Sequence, residues 1–418
     1  MEAPIVVGID VGTTKVCTLV GREETPGQFH ILGVGIEPSQ GLRKGVVVDL
    51  AAASQAVARS IEKAERTSGM EITSGLVSLA GSQVESVNSR GVVGITGRVI
   101  YEEDIGRAID AARAVALPHN REILHVIQRG FNIDGQEGIR NPLGMHGYRL
   151  EVETHIITAS AASVENLRKC VGASGVEVSQ FVLNPLASGE VVLTETERQM
   201  GVVVVDMGGG TTDMAIYIDG DVWHTSVLAV GGNHVTSDIA MGLRLPMTQA
   251  EEIKIRHGHA VQAEVDPQEY FSIRPFGEDK PVQINRQELA HIIEARVEEI
   301  FGLVLQEIKR SGYDGLLPAG MVLTGGASAL PNIRALANNV LGVPVRIAQP
   351  ENLHGLTDRL DSPAFSTSVG LLRWALLMNE FSPQGESRRA SRYISTSDSQ
   401  GGVSNWEKIK NLLKRLLP

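Results

Sequence analysis

The sequence predicts an α/β protein built from two similar halves, and three observations carry that expectation. Short β-branched runs alternate with longer helical patterns, the mark of strands layered against helices. A unit of strand, Asp, glycine turn, paired hydroxyls and return strand occurs at Asp10 and again at Asp206. A third apolar strand, Met321-Val322-Leu323-Thr324, runs into the double glycine Gly325-Gly326. At 418 residues the chain exceeds one compact core and suits several packed subdomains.

Residues 5–9 and 202–205 are apolar at consecutive positions, as strands covered on both faces should be. Residues 51–67 read as a helix, Ala-rich with Ile61 and Ala64 at helical spacing. Segment 82–162 changes character. It has alternating stretches at 84–93 and 148–157, a charged helix around 102–116, and a Gly/Asn/Pro loop over 135–147. This pattern predicts an inserted α+β subdomain. Residues 233–317 read as mostly helical, most clearly over 251–256 and 287–310. From 382 to 403 Ser, Thr, Gly and Arg dominate, too polar for a core, so a flexible tether is expected.

Composition narrows the classes. Apolar residues at 42% and charged residues at 21% exclude a fully disordered chain. A net charge of −11 repels phosphate backbones, which argues against a nucleic-acid binder. Two cysteines, Cys17 and Cys170, are too few for a disulfide framework and fit a reducing cytosol. The N-terminus lacks a basic start and a long apolar stretch, so no signal peptide is expected. No apolar run approaches the ~18–20 residues of a membrane span. A soluble intracellular body is the expectation.

The chemistry lies in the repeated loops. Gly8-Ile9-Asp10-Val11-Gly12-Thr13-Thr14-Lys15 is echoed by Asp206-Met207-Gly208-Gly209-Gly210-Thr211-Thr212-Asp213. Glycine lets backbone N–H groups approach an anion, and Thr hydroxyls add donors. Asp10 and Asp206, each at a strand end, suit a hydrated Mg2+, which keeps most of its waters. Either loop alone reads equally well as a plain hairpin turn; the repetition favours two loops holding a polyphosphate from both sides. In the third element the turn Gly325-Gly326-Ala327 is expected to lie flat against a ligand, with Pro331 in the first turn of the next helix. A fourth fragment, Gly231-Gly232-Asn233, could approach phosphate or ribose.

These strings (GIDVGTTK, VVDMGGGTTDMAIY, VLTGGASALPNI) resemble, in order and spacing, the actin/Hsp70/hexokinase superfamily. GGNHVTSDIAMGL, AEEIKIRHGHA, LHGLTD and FSTSVGLLRWAL resemble the bacterial cell-division family FtsA, over nearly the whole chain. The resemblance implies an actin-like ATPase fold, two ribonuclease H-like halves around an ATP·Mg2+ cleft. It implies a first half at 1–82, 163–199 and 351–381, with the insert at 83–162. A second half would take 200–232 and 318–350, with a helical subdomain at 233–317. It further implies actin-like filaments, binding of the FtsZ C-terminal peptide, recruitment of later division proteins and attachment to the cytoplasmic membrane. Carried over by residue, Asp10 and Asp206 would position Mg2+ through water. Gly12, Thr13, Thr14, Lys15, Gly208, Gly209, Gly210, Thr211 and Thr212 would cradle phosphates. Gly231, Gly232 and Asn233 would lie near the sugar, and Gly325, Gly326 and Ala327 would border adenine. Arg296 and Glu299 are the candidates for the pocket's far side, or else plain surface charges; Asp213 either organises the second loop or stabilises its turn.

One departure bears on turnover. ATPases of this superfamily usually place Glu or Gln at the start of the connecting helix, where this chain has Asn184-Pro185. Asn184 is short and not basic, so water activation there would be weak. His257 and His259 are two apart, off helical register, and read as exposed. A carbohydrate kinase remains a rival, because GIDVGTTK resembles those enzymes equally; a pilus-assembly or chaperone ATPase of the same fold is another.

The last fifteen residues, 404–418, place Trp406, Ile409, Leu412, Leu413, Leu416 and Leu417 on one helical face. Lys408, Lys410, Lys414 and Arg415 take the flanks, and Ser404 with Glu407 fits a capping box. A basic amphipathic helix at the tip of a tether, with r.m.s. reach of roughly 25 Å, suits anionic lipid. Docking on its own domain and partner binding are the alternatives. Each basic residue contributes roughly 1 kcal/mol near anionic lipid, while folding costs about as much per residue, so a single helix binds weakly.

Overall fold

The computed structural model describes residues 4–25, 27–379 and 393–395. The chain opens with an antiparallel meander, β1 (Ile5–Val11), β2 (Lys15–Thr25) and β3 (Gln28–Pro38), followed by a short ladder of β4 (Leu42–Arg43) and β5 (Val46–Val47). Helix α1 (Leu50–Ser68) starts where the Asp49 carboxylate accepts the Ala52 N–H and stops at Gly69, whose φ is +70°. It leads to β6 (Ser74–Leu79), which lies parallel to β1.

The insert follows: β7 (Glu85–Gly94), α2 (Glu102–Arg113), β8 (Arg121–Ile133), β9 (Gln136–Ile139) and β10 (Arg149–Ser160). The chain re-enters the first half through α3 (Ala161–Gly172) and β11 (Glu177–Leu183), parallel to β6. Helices α4 (Asn184–Val192) and α5 (Glu195–Met200) then cross to the second half.

There a second meander forms, β12 (Val202–Met207), β13 (Thr212–Ile218) and β14 (Asp221–Leu228). Next come α6 (Gly232–Gly242), α7 (Met247–His257), the hairpin β15 (Tyr270–Ile273) and β16 (Val282–Asn285), and α8 (Arg286–Ser311). Strands β17 (Met321–Thr324) and β18 (Val345–Ile347), joined by α9 (Ile333–Leu341), extend this sheet in parallel. The chain then returns to the first half as β19 (Leu353–Gly355), on β3, and α10 (Ser366–Asn379). A last strand, β20 (Tyr393–Ser395), pairs with β8.

The strand orders, β11-β6-β1-β2-β3-β19 and β14-β13-β12-β17-β18, share one plan: a meander whose first strand continues into parallel neighbours. All six residues of β12 are buried, which explains its unbroken apolar run. In each half the first hairpin therefore ends at the same edge, and the two hairpins meet.

Four expectations need correction. Part of the supposed loop 135–147 is strand β9, because Ile139 buries against the insert core and pairs with Phe131. The helical region contains the β15–β16 hairpin. Helix α9 begins at Ile333, not at Pro331, because Asn332 takes a left-handed φ of +60° ahead of it. Within the stretch read as a flexible tether, Tyr393–Ser395 is a strand.

The insert packs against the second half as well as the first. Ser86 Oγ donates to the Thr225 carbonyl at 2.9 Å, and Arg129 lies 4.0 Å over the Trp223 ring. Buried His155 donates from Nδ1 to Asn88 Oδ1 (2.7 Å) and accepts at Nε2 from Thr225 Oγ1 (2.9 Å), which fixes its neutral tautomer. Burial pulls its pKa down to about 3, with positive neighbours adding to the effect. Burial likewise brings His125 down to about 4. A depressed imidazole pKa gives stability that is full above the unfolded value of 6.5 and is lost as pH falls below it. Acidification from about pH 7 to about pH 5 should therefore cost roughly 2 kcal/mol per imidazole, read as a falling urea midpoint. His155→Gln should remove its share of that slope; an unchanged slope would refute neutral burial of His155.

Candidate functional site

A cavity of about 320 Å3 opens where the hairpins of the two halves face each other. Its walls include Asp10, Gly12, Thr13, Thr14 and Lys15 from the first hairpin, and Asp206, Gly208, Gly209, Gly210, Thr211 and Asp213 from the second. The turns close identically. Gly12 N–H donates to the Lys15 carbonyl at 3.0 Å, and Gly208 N–H to the Thr211 carbonyl at 2.9 Å. The intervening amides take no part in these closures. A Cβ on Gly209 would sit 2.1 Å from Thr14 Oγ1, and one on Gly210 would sit 2.5 Å from Thr13 Oγ1. Glycine is thus required for the hairpins to approach each other.

The start of α10 joins the strand ends. Ser366 Oγ lies 2.6 Å from Thr324 Oγ1, Thr367 Oγ1 donates to Asp206 Oδ2 at 2.6 Å, and Ser368 Oγ donates to Asp10 Oδ2 at 2.7 Å. Ser78 Oγ satisfies the other Asp10 oxygen at 2.9 Å. Burial pushes the Asp206 carboxyl above the ordinary range; the Thr367 hydroxyl opposes that shift and the nearby Asp10 charge adds to it. Asp213 is raised further, by burial and then by Asp206. Its Oδ2 accepts from Thr211 Oγ1 at 2.8 Å while Oδ1, wholly buried, has no partner. Such a site gains from a cation, since a positive charge would relieve both the burial and the mutual repulsion. Two facing carboxylates suit a hydrated Mg2+ rather than a closed cage of protein ligands. Among the described residues no group of three or more His, Cys, Asp or Glu is placed to hold a metal directly.

A relative from Pseudomonas aeruginosa, "Cell division protein FtsA", is 44% identical over 372 residues, 89% of this chain and 89% of that protein. The chain belongs to the FtsA family. The profile described as "Cell division protein FtsA" matches residues 203–370, and "SHS2 domain inserted in FTSA" matches residues 81–158, the insert. Among solved structures, the PilM–PilN type IV pilus biogenesis complex aligns with TM-score 0.64 at 16% identity, over 89% of this chain and 99% of that one. MreB5 of Spiroplasma citri bound to ADP gives 0.56 at 16%, over 90% and 97%. A MamK double helical filament gives 0.51 at 14%, over 89% and 98%. These likenesses establish the actin-like ATPase fold.

In this FtsA-family chain several expected residues sit elsewhere than in the cavity wall. Thr212 is fully buried and its hydroxyl donates to the Val230 carbonyl at 2.8 Å, so it fastens the hairpin and does not face the cleft. Gly231 lies behind the wall; a Cβ there would meet the Gly208 carbonyl at 2.6 Å, so it lets α6 abut the second loop. Gly232 and Asn233 line the cavity, and their amides donate to the Gly208 and Gly209 carbonyls at 2.9 and 2.8 Å. Gly325, Gly326 and Ala327 line it too, Gly325 with φ +87°. Arg296 and Glu299 do not. Arg296 is held by Asp238 (Nη2 to Oδ1, 3.1 Å) and by Glu299, and the residue that α8 presents to the cavity is Val297. Lys15 reaches across to the Ala364 carbonyl, 4.5 Å over the Phe365 ring. His257 stacks on Phe271 at 4.6 Å. Trp406, Ile409 and the rest of segment 404–418 lie outside the described residues.

Sequence reasoning missed two groups. Ser366, Thr367 and Ser368 were visible only as part of a family string. Glu251 and Lys254 of α7 line the cavity, with Lys254 Nζ donating to Glu251 (2.7 Å) and Thr236 (2.8 Å). Asn184 lines it as well, with its buried Oδ1 unpartnered.

A raised carboxyl pKa destabilises the free protein as pH climbs through the folded value. Asp213→Asn should therefore stabilise the ligand-free chain by about 1–3 kcal/mol at neutral pH. The gain should shrink on acidification, in paired urea titrations. A variant no more stable than the parent at any pH would contradict the burden assigned to Asp213.

Proposed function

We propose that this chain is an ATP-binding, actin-like scaffold of cell division that polymerises and ties FtsZ filaments to the cytoplasmic face of the membrane. The observation that carries the nucleotide part is the pairing of Asp10 and Asp206 across one cavity, with glycine-rich turns on both sides. ATP suits this cavity: the turn amides and the Thr13 and Thr14 hydroxyls would donate to phosphates, while the Thr211 hydroxyl is engaged by Asp213, and the Gly325 turn in the wall would border the base. When bound, Mg2+ would supply charge neutralisation, held through water by Asp10 and Asp206. The fold neighbours include a protein bound to ADP and one in a double helical filament, which supports nucleotide binding and self-association.

The carboxylates around the cavity are engaged by neighbouring donors, and Asn184 lines it where the resemblance would expect a Glu or Gln. ATP therefore acts here as a structural switch with slow turnover at most. The basic amphipathic segment 404–418 gives weak single-copy membrane affinity that multiplies along a filament. FtsZ binding through the helical subdomain and recruitment of later division proteins belong to the same proposal, which family membership supports.

Asp206→Ala should weaken Mg·ATP binding roughly 10–100-fold, by analogy with residues that hold a metal through an intermediate group. Calorimetric titration of folded variant and parent checks this; superimposable isotherms would refute the assignment. Deleting 404–418 should abolish most co-sedimentation with anionic vesicles while leaving ATP binding intact. Unchanged pelleting would remove the membrane from the proposal.

A further inference from the structure

The insert sheet runs β20-β8-β10-β7, so β10 covers one long side of β8 and the other side, which would be the sheet edge without them, is shared by the short strands β9 and β20. Strand β9 covers its far end, with Phe131 opposite Ile139 and Ile133 opposite Gln136. The middle of that edge, residues 125–127, is covered by β20, antiparallel, with Tyr393 opposite Ile127, Ile394 opposite Val126 and Ser395 opposite His125. Residues 124–128 are all buried, so an open edge here would combine unpaired backbone groups with apolar side chains, the template that promiscuous strand pairing uses.

We propose that the β8 edge at residues 125–127 is a strand-addition seat whose resident is the chain's own segment Tyr393–Ser395, pinning the C-terminal tether to the insert. Tyr393 and Ile394 are the adjacent strand-forming pair in an otherwise polar stretch, and a purely solvated tether has no need of them. The path closes easily. Helix α10 passes beside the seat, with the Trp374 ring 5.6 Å from that of His125, and ends at Asn379. Residues 380–392 can extend roughly 40 Å, ample for a short return whose closure entropy is modest.

Pinning changes what the tether can do. From Ser395 only residues 396–403 precede the amphipathic segment, an r.m.s. reach of roughly 16 Å instead of roughly 25 Å for the free stretch. The seat also touches the cleft's frame. His125 Nε2 accepts the Leu183 N–H at 3.2 Å, and Leu183 caps α4, whose first residue, Asn184, lines the cavity. Occupancy of the seat and the position of α4 therefore share one contact. The seat stands whether or not the tail meets lipid, and its test contains none.

The test is hydrogen–deuterium exchange on the full chain and on the full chain carrying Ile394→Pro and Ser395→Pro; neighbouring amides of a strand point to opposite sides, so the pair removes whichever of the two donates to β8, outside the folded core. Within peptide 121–129, the amides of residues 125–127 that face β20 should exchange at least tenfold faster in the variant, while those facing β10 and those of β12 stay unchanged as the folding control. A synthetic peptide of residues 388–400 added in excess to the variant should restore the slow rate. Equal exchange in the two chains would overturn the proposal. Protection in the parent that rises with protein concentration would overturn its intrachain form, since a second copy's strand would then be the occupant.

Discussion

Three consecutive hydroxyls at the start of α10 hold the molecule's centre together. Ser366 meets Thr324, Thr367 meets Asp206 and Ser368 meets Asp10, so one helix end fastens strands from both sheets. Asp206 belongs to the second half, while α10 packs on β1 and α4 of the first. The approach is close: a Cβ on Gly370 would lie 2.0 Å from the Ala187 carbonyl, so α10 and α4 cross backbone to backbone. Whatever alters the charge on either Asp acts directly on this crossing.

The crossing explains why the cleft is electrostatically poised. Asp206 and Asp213 are buried beside Asp10, and both carboxyls are pushed upward by burial before any neighbour counts. Hydroxyl donors offset part of that cost but cannot remove it, because a hydroxyl brings no net charge. A cation would complete the site, and the halves would then be held through their shared carboxylates. In the proposed switch, nucleotide and metal act on the relation of the halves through the same groups that bind them.

Much of this was legible in the sequence, for identifiable reasons. The two hairpins could be read because Asp, Gly and Thr recur in one order, and each type has a distinct backbone or donor role. Thr211 and Thr212 could not be told apart, since strand alternation sends neighbours to opposite faces and only the tertiary packing says which face is the cleft. Arg296 and Glu299 failed for a similar reason. A helix buried on one side offers several registers, and the packing of α8 on α6 turns Val297 to the cavity while Arg296 pairs with Asp238. Ser366, Thr367 and Ser368 lay beyond any local pattern, because Ser368 and Asp10 are 358 residues apart and hydroxyls at a helix start read first as caps.

The insert is where sequence and structure part most instructively. Its alternating strands were readable, yet its edges were not, because an edge is defined by what fails to pair with it. The same sheet contacts both halves and pairs with β20. His155 seals the first contact as a neutral imidazole between Asn88 and Thr225, and His125 anchors the second beside Leu183. Neither imidazole is exposed enough to serve as a solvent-facing ligand; protonation would end the bond that His125 Nε2 accepts from the Leu183 N–H, while His155 would keep its Nδ1–H donation to Asn88 and would need the Thr225 hydroxyl to turn. Two buried histidines on adjacent strands, one bonded to each half, therefore tie the insert to the two halves together.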